Sequence, residues 1–183
     1  MLEVRKAVPE EYETVAAFYD SVIDGMEGAE YHPAWEKGVY PAYETLKESI
    51  ERGELFLGFL DGKLACATIM NDRQSDGSEG EPWKFVVPDE EIRIFHALTV
   101  HPDFAGKGLG KQFVTAGMNL AKEQGAKAMR LDVLKGNVPA ERLYPACGFV
   151  FVSNKVMFYE DTGWTDFILY EWAIRPGEPP TGP

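Results

Sequence analysis

Between an apolar run ending at Val100 and a helical pattern beginning near Gly108, the chain places glycine at three alternate positions, Gly106, Gly108 and Gly110. Glycine has no Cβ to cover the backbone N–H groups, and a helix N-terminus carries the positive end of its dipole. A strand-to-helix turn of this kind is therefore a cradle for an anion, with phosphate the natural occupant. The helical pattern runs to about Gln124 with Leu109, Phe113, Ala116 and Leu120 inward, Gly125 ends it, and Ala128 to Leu134 reads as the next strand. A strand, helix, strand crossover must be parallel and right-handed, so this turn requires a parallel pair beside it.

The remaining elements point to antiparallel pairing. Leu55 to Leu60 and Leu64 to Met70 are apolar runs split by Asp61-Gly62, a strong hairpin signal, and Phe149 to Tyr159 and Trp164 to Ile174 are joined at Asp161-Thr162-Gly163. Alternation from Leu2 predicts a first strand. Pro9 opens a helix with Tyr12, Val15, Ala16 and Tyr19 inward, and Pro41 begins a second helix with Tyr43, Leu46 and Ile50 inward. Asp24 to Tyr40 and Asn71 to Pro88 have no period and read as loops of the kind that carry function. A strand is expected over about Glu91 to Val100, and a short helix over Pro139 to Ala146. The expected fold is a single α/β domain: a central mixed, mostly antiparallel sheet with one parallel pair, flanked by helices. It covers residues 1–175, and 176–183 form a disordered Pro/Gly-rich tail.

Composition narrows the partners. At 183 residues with 45% hydrophobic and 26% charged, the chain suits one globular domain, and no apolar run approaches the roughly 20 residues that cross a bilayer. Eighteen Lys and Arg against thirty Asp and Glu give a net charge of −12. Such a field repels nucleic acid and anionic membranes and attracts cationic small molecules. The opening Met1-Leu2-Glu3-Val4-Arg5 carries charge where a secretory signal needs an apolar core, so the expected location is cytoplasmic. Cys66 and Cys147 fit no metal-ligand spacing and read as small buried hydrophobes; no metal is expected.

Spacing separates three phosphate-binding motifs at the glycine-rich turn. A P-loop needs Ser or Thr after its lysine, and Lys111 is followed by Gln112; a dinucleotide fingerprint needs glycine where Phe113 stands. The stretch Ala105-Gly106-Lys107-Gly108-Leu109-Gly110 resembles the pyrophosphate loop of the Gcn5-related N-acetyltransferase superfamily, Gln/Arg-x-x-Gly-x-Gly/Ala, with Ala105 replacing the usual Arg or Gln. Farther on, Asn137, Ala140, Leu143-Tyr144 and Gly148-Phe149 resemble the family's strand, Asn, Ala, Leu-Tyr, Gly-Phe pattern. The resemblance covers nearly the whole chain from Leu2 to about Ile174, and Trp35 to Pro41 is similar to a bacterial branch whose members often have no assigned substrate.

The resemblance implies an acetyl-CoA-dependent N-acetyltransferase that moves acetyl directly to a primary amine of a small molecule or peptide, with a homodimer as the expected assembly. It assigns cofactor contacts to Leu98, Thr99, Val100, the loop residues Ala105, Gly106, Lys107, Gly108, Leu109, Gly110 and Lys111, and to Asn137, Ala140 and Tyr144. It also implies that a backbone amide near Leu98 to Val100 polarises the thioester carbonyl and that Tyr144 protonates the departing thiolate. A noncatalytic acetyl-CoA binding or sensing module is the alternative, if Ala105 and the setting of His96 leave the reacting groups incomplete. Asn137 also reads as a simple helix cap, and Tyr144 as a core aromatic.

Amine acetylation needs a neutral nucleophile. An amine of pKa near 10.4 is only about 0.04% neutral at pH 7, equivalent to roughly 4.6 kcal/mol of barrier. A general base is therefore required. His96 suits neutral pH, although strict alternation sets it with Ile92, Ile94 and Leu98 on an apolar face, where it would be a satisfied core histidine. Glu90 and Glu91, at the start of the same strand, match the family's use of a carboxylate acting through water. Acceptor specificity is assigned to Glu30, Tyr31, His32 and Trp35, to the acidic Asn71–Pro88 loop, which also reads as simply a solvated face, and to Tyr159–Trp164.

Overall fold

In the computed structural model, residues 1–29, 33–74 and 80–173 are described. Among them, seven strands form one sheet in the order β1-β2-β3-β4-β5-β7-β6. They are β1 (Glu3–Lys6), β2 (Leu55–Leu60), β3 (Lys63–Asn71), β4 (Ile92–Val100), β5 (Ala128–Leu134), β6 (Val150–Tyr159) and β7 (Gly163–Ala173), and of these only β4 and β5 pair parallel. The α-helices among the described residues are α1 (Tyr12–Met26), α2 (Tyr43–Glu51), α3 (Leu109–Glu123) and α4 (Val138–Ala146). On one sheet face α1 and α2 bury Val15, Tyr19 and Leu46 against Leu57, Ile69 and Ala97. On the other, Met118 of α3 and Tyr144 of α4 pack over Phe95, Met129, Leu131 and Val133. The expected mixed sheet with its central parallel pair is the one observed.

Three local readings are corrected. Pro9–Glu11 form a separate turn of 3-10 helix before α1. The second helix begins at Tyr43, which faces outward and donates its hydroxyl to the Asp20 carboxylate, while Leu46 and Ile50 are buried. Alternation along β4 fails at a bulge. Ala67 pairs with Thr99 and Ile69 with His96, so three steps on β4 oppose two on β3, and Ala97 takes a φ of 48°. His96 and Ala97 consequently both face the α1 side, and Leu98 joins Phe95 on the α3 side. The apolar set predicted for His96 therefore loses Leu98.

The acidic loop is only partly a solvated face. Glu171 on β7 is fully buried and receives Arg130 Nε at 3.0 Å and the backbone N–H groups of Lys84 and Phe85 at 2.8 and 3.1 Å. Arg130 also donates to the Phe85 carbonyl and lies 4.3 Å from the centre of the Trp83 ring. Each buried charge is thus paired and hydrogen-bonded, the condition under which buried ion pairs persist. The pair ties the segment before β4 to β5 and β7. Residues 75–79, 174–183 and 30–32 lie outside the described part, and with them the expected tail and the readings on Glu30, Tyr31 and His32.

Gly117 of α3 marks the closest helix-to-sheet approach: a Cβ there would stand 2.5 Å from the Phe95 ring. Gly117→Ala is expected to destabilise the fold by about 1–3 kcal/mol despite alanine's higher helix propensity. Thermal unfolding measures this, and a rise in midpoint would contradict the packing.

Candidate active site

The parallel ladder between β4 and β5 covers only Ile92–Ile94 against Ala128–Arg130, although β4 continues to Val100 and β5 to Leu134. Beyond it the strands part, and a cavity of about 600 Å³ opens between them. Its walls are Phe95–Val100 of β4, Asp132–Leu134 of β5, the turn before α3, the first turns of α4, and Trp35, Tyr40, Tyr159 and Asp161. On its far side β4 remains paired with β3, so the edge it turns to the cavity has backbone groups with no strand partner among the described residues. That edge can receive a ligand as it would a strand.

One end of the cavity is the glycine-rich turn. Pro102–Phe104 form a 3-10 turn, Ala105 is extended, and Gly106 and Gly108 take φ of 75° and 69°. Gly108 is the N-cap of α3, provides no side-chain cap, and leaves the first helical N–H groups to be satisfied from outside. A Cβ on Gly106 or Gly108 would meet nothing within 4 Å; it would fill the space in front of those amides. The cradle is thus made of backbone, which fits a pyrophosphate and explains how Ala105 can stand where the motif usually has a long side chain. Lys111 borders the cavity, whereas Lys107 does not and instead lies over the Phe104 ring at 5.1 Å. Leu98, Thr99, Val100, Ala105, Leu109, Gly110, Asn137 and Ala140 all line the cavity with Gly106 and Gly108. Asn137 also caps α4, its side chain accepting from the Ala140 N–H at 3.4 Å. The cap reading of Asn137 is the one seen, and the residue also lies in the cavity wall.

Two polar atoms on this cavity are buried and have no partner among the described residues: Thr99 Oγ1 and Asp161 Oδ1. Thr99 is only 4% exposed, so its unpaired hydroxyl is a buried polar group that the surrounding protein leaves unsatisfied. Burial holds the Asp161 carboxyl above the usual range. Tyr144 is buried against Phe149 and Tyr170, and burial together with the Asp132 carboxylate pushes its hydroxyl pKa up. Asp132 accepts the Tyr159 hydroxyl at 3.0 Å.

A second cavity of about 640 Å³ opens on the α2 side, lined by Glu48, Arg52, Asn71, Arg73 and Glu160 among others. It meets the first at Tyr40, His96, Ala97 and Tyr159. His96 therefore stands between two spaces, with its Nε2 3.0 Å from Asn71 Oδ1. Burial lowers its pKa, opposed by the Asp132 carboxylate, so the ring is neutral at pH 7. Glu90 and Glu91 line neither cavity. Glu91 ends the 3-10 turn before β4, five residues from His96, a separation of about 16 Å along an extended strand. The resemblance implies a carboxylate there acting through water; Glu91 stands outside both cavities, at the opposite end of that stretch from His96. Tyr40, Asn71 and Tyr159 stand at the ends of segments that the sequence marks as functional loops, whereas no motif assigns a role to Asp132, and the bulge beside the junction carries no sequence signal. Among the described residues, no cluster of His, Cys, Asp or Glu is able to hold a metal ion, and no helix is long and apolar enough to cross a membrane.

Residues 19–149, which run from α1 through the bulge, the glycine cradle and Tyr144 to Phe149, match the model of the acetyltransferase (GNAT) family. The chain belongs to this family. GNAT enzymes use acetyl-CoA as cosubstrate, and the glycine cradle at the start of α3 suits the phosphates of such a ligand. This GNAT chain is 33% identical over 105 residues to the mycothiol acetyltransferase of Clavibacter sepedonicus, a match covering 54% of the chain and 34% of that relative. It thus spans about a third of that relative's length. Its fold resembles a GNAT-family acetyltransferase from Streptococcus agalactiae, with a TM-score of 0.76, 18% identity and coverage of 95% and 96% of the two chains. It also resembles yncA from Salmonella typhimurium, solved with its cofactor acetyl-CoA, with a TM-score of 0.69, 17% identity and 98% coverage of each.

Proposed function

We propose that this chain moves an acetyl group from acetyl-CoA directly to the primary amine of a cationic small-molecule or peptide acceptor. The observation that carries this reading is the meeting of two cavities at His96: one has a phosphate cradle at its end, and the other is open to a second reactant.

Acetyl-CoA, when bound, supplies an acetyl thioester. The amides at the N-terminus of α3 hold its phosphates, and the unpaired edge of β4 and the Thr99 hydroxyl hold the length of the ligand. A peptide N–H near Leu98 to Val100 donates to oxygen as negative charge builds there. His96 takes the acceptor's proton as the new C–N bond forms, and Tyr144, whose burial keeps its own proton in place, gives one to the leaving sulfur. The cationic class of acceptor is supported by the net charge of −12 and by the presence of Asp161 with Trp35, Tyr40 and Tyr159 in the wall of the first cavity, of which Tyr40 and Tyr159 also border the second. Aromatic faces and an unpaired carboxylate oxygen both favour a cation.

The test is calorimetric titration with acetyl-CoA, using NAD and ATP as controls, followed by thiol-release assays over a panel of amines. Selective acetyl-CoA binding and amine-dependent thiol release are expected. Gly108→Val should weaken acetyl-CoA binding by at least about tenfold, because it adds a side chain at the glycine cradle where even a Cβ, which meets no protein atom within 4 Å, is absent in the unsubstituted chain. Positive φ adds about 1–2 kcal/mol of local strain, so circular dichroism must accompany the titration. Unchanged affinity in a folded variant would contradict the cradle.

A further inference from the structure

We infer that Asn71 is a positioning residue for His96, holding the ring in the tautomer that carries its proton on Nε2 and leaves the Nδ1 lone pair available to accept one. This rests on the reading of His96 as the general base.

Asn71 ends β3 opposite Ile94, and His96 lies two residues farther along β4, so the two side chains are diagonal neighbours on one face of the sheet. Asn71 is only 9% exposed. Its Oδ1 accepts the Arg73 backbone N–H at 3.0 Å, which fixes which end of the amide is oxygen. The same oxygen stands 3.0 Å from His96 Nε2. An amide oxygen only accepts, so a hydrogen bond at that distance requires the proton on Nε2. A neutral imidazole has one N–H, which leaves Nδ1 bare. Pairing is regular from Asn71 and Ile94 to Ile69 and His96, so ordinary alternation sets the His96 ring on the same face as Asn71, and the ring borders both cavities.

The groups acting on the ring are Asp132 on β5, Arg73 after β3 through both its charge and a backbone hydrogen bond, Glu54 before β2, and the Tyr40 and Tyr159 hydroxyls on the shared wall. Arg73 and Glu54 form an ion pair with each other. Asp132 already accepts the Tyr159 hydroxyl. The uncharged Asn71 therefore orients the ring without adding a charge that would fill Nδ1 with a proton at neutral pH.

The test has two arms. Nitrogen-15 NMR of the unsubstituted protein labelled at histidine, with the His96 signals assigned by their loss in His96→Gln, is expected to show a protonated Nε2 and an unprotonated Nδ1 at pH 7.5. The opposite tautomer overturns the inference whatever any variant does. In the second arm, Asn71→Ala is expected to lower kcat by about tenfold or more with little change in KM for acetyl-CoA, and to show mixed tautomers. Asn71→Asp keeps an acceptor oxygen, should recover most of the kcat, and should move the acid limb of the kcat–pH profile up by about one unit, because a carboxylate favours the protonated ring. Full kcat in a folded Asn71→Ala, alongside an impaired His96→Gln, overturns the positioning role alone. Full kcat in His96→Gln overturns the base reading and this inference with it.

Discussion

His96→Gln is expected to lower kcat by about 10²- to 10³-fold while leaving acetyl-CoA affinity nearly unchanged. Glutamine keeps much of the size and a polar contact to Asn71 but has no group that accepts a proton near neutral pH. The pH profile separates loss of a base from loss of shape. Burial lowers the folded-state pKa of His96, so its base form persists below the ordinary value near 6.5, and kcat should fall only as pH drops past that lowered pKa. In His96→Gln that acid limb disappears, and the remaining rate should rise with pH as the free amine becomes more abundant. An unchanged kcat with an unchanged limb would return His96 to a structural role.

Tyr144→Phe is the second large effect: about 10²-fold or more in kcat, with acetyl-CoA affinity within a few-fold of the unsubstituted protein. Phenylalanine preserves the ring contacts with Phe149 and Tyr170, so stability should change little. The hydroxyl suits a proton donor because burial and the neighbouring Asp132 carboxylate keep it protonated well above neutral pH. Donor analogues whose thiol is a better leaving group should restore part of the lost rate, since they depend less on protonation. Equal rates for the unsubstituted protein and the Tyr144→Phe variant, with poor and good leaving groups alike, would place Tyr144 among the core aromatics only.

The chain announces its phosphate cradle because backbone exposure at a helix start can be achieved in few ways, and Gly106, Gly108 and Gly110 spell one of them. It announces two hairpins and one parallel pair because Asp61-Gly62 and Asp161-Thr162-Gly163 are local turn signals and the β4, α3, β5 crossover permits only a parallel pair, whereas the pairing of β7 rather than β6 with β5 has no local signal. The base is less legible. Reading β4 by strict alternation put Leu98 beside His96; a bulge at Ala97, a non-glycine residue with positive φ, reverses the pattern and is held by pairing with β3 that no short window of sequence reveals. Glu91 is brought in by the resemblance, which implies a carboxylate at the start of β4 acting through water, and no local pattern gives its distance from His96. Glu171 was silent for a related reason: its partners, Arg130 and the backbone of Lys84 and Phe85, are 41 to 87 residues away in sequence.

The three-residue ladder between β4 and β5 makes the sheet narrow-waisted. Four strands lie on one side of the waist and three on the other. Few backbone hydrogen bonds cross it, and Arg130, the last β5 residue of that ladder, is also the one gripped by Glu171. The waist ends where the clamp begins. A ligand lying along the open edges of both strands continues the seam that the ladder abandons, so the bond between substrate and enzyme is at the same time the bond between the two halves of the enzyme. Binding of such a ligand would tie the two halves together, and a higher unfolding midpoint with acetyl-CoA than without it is the expected result.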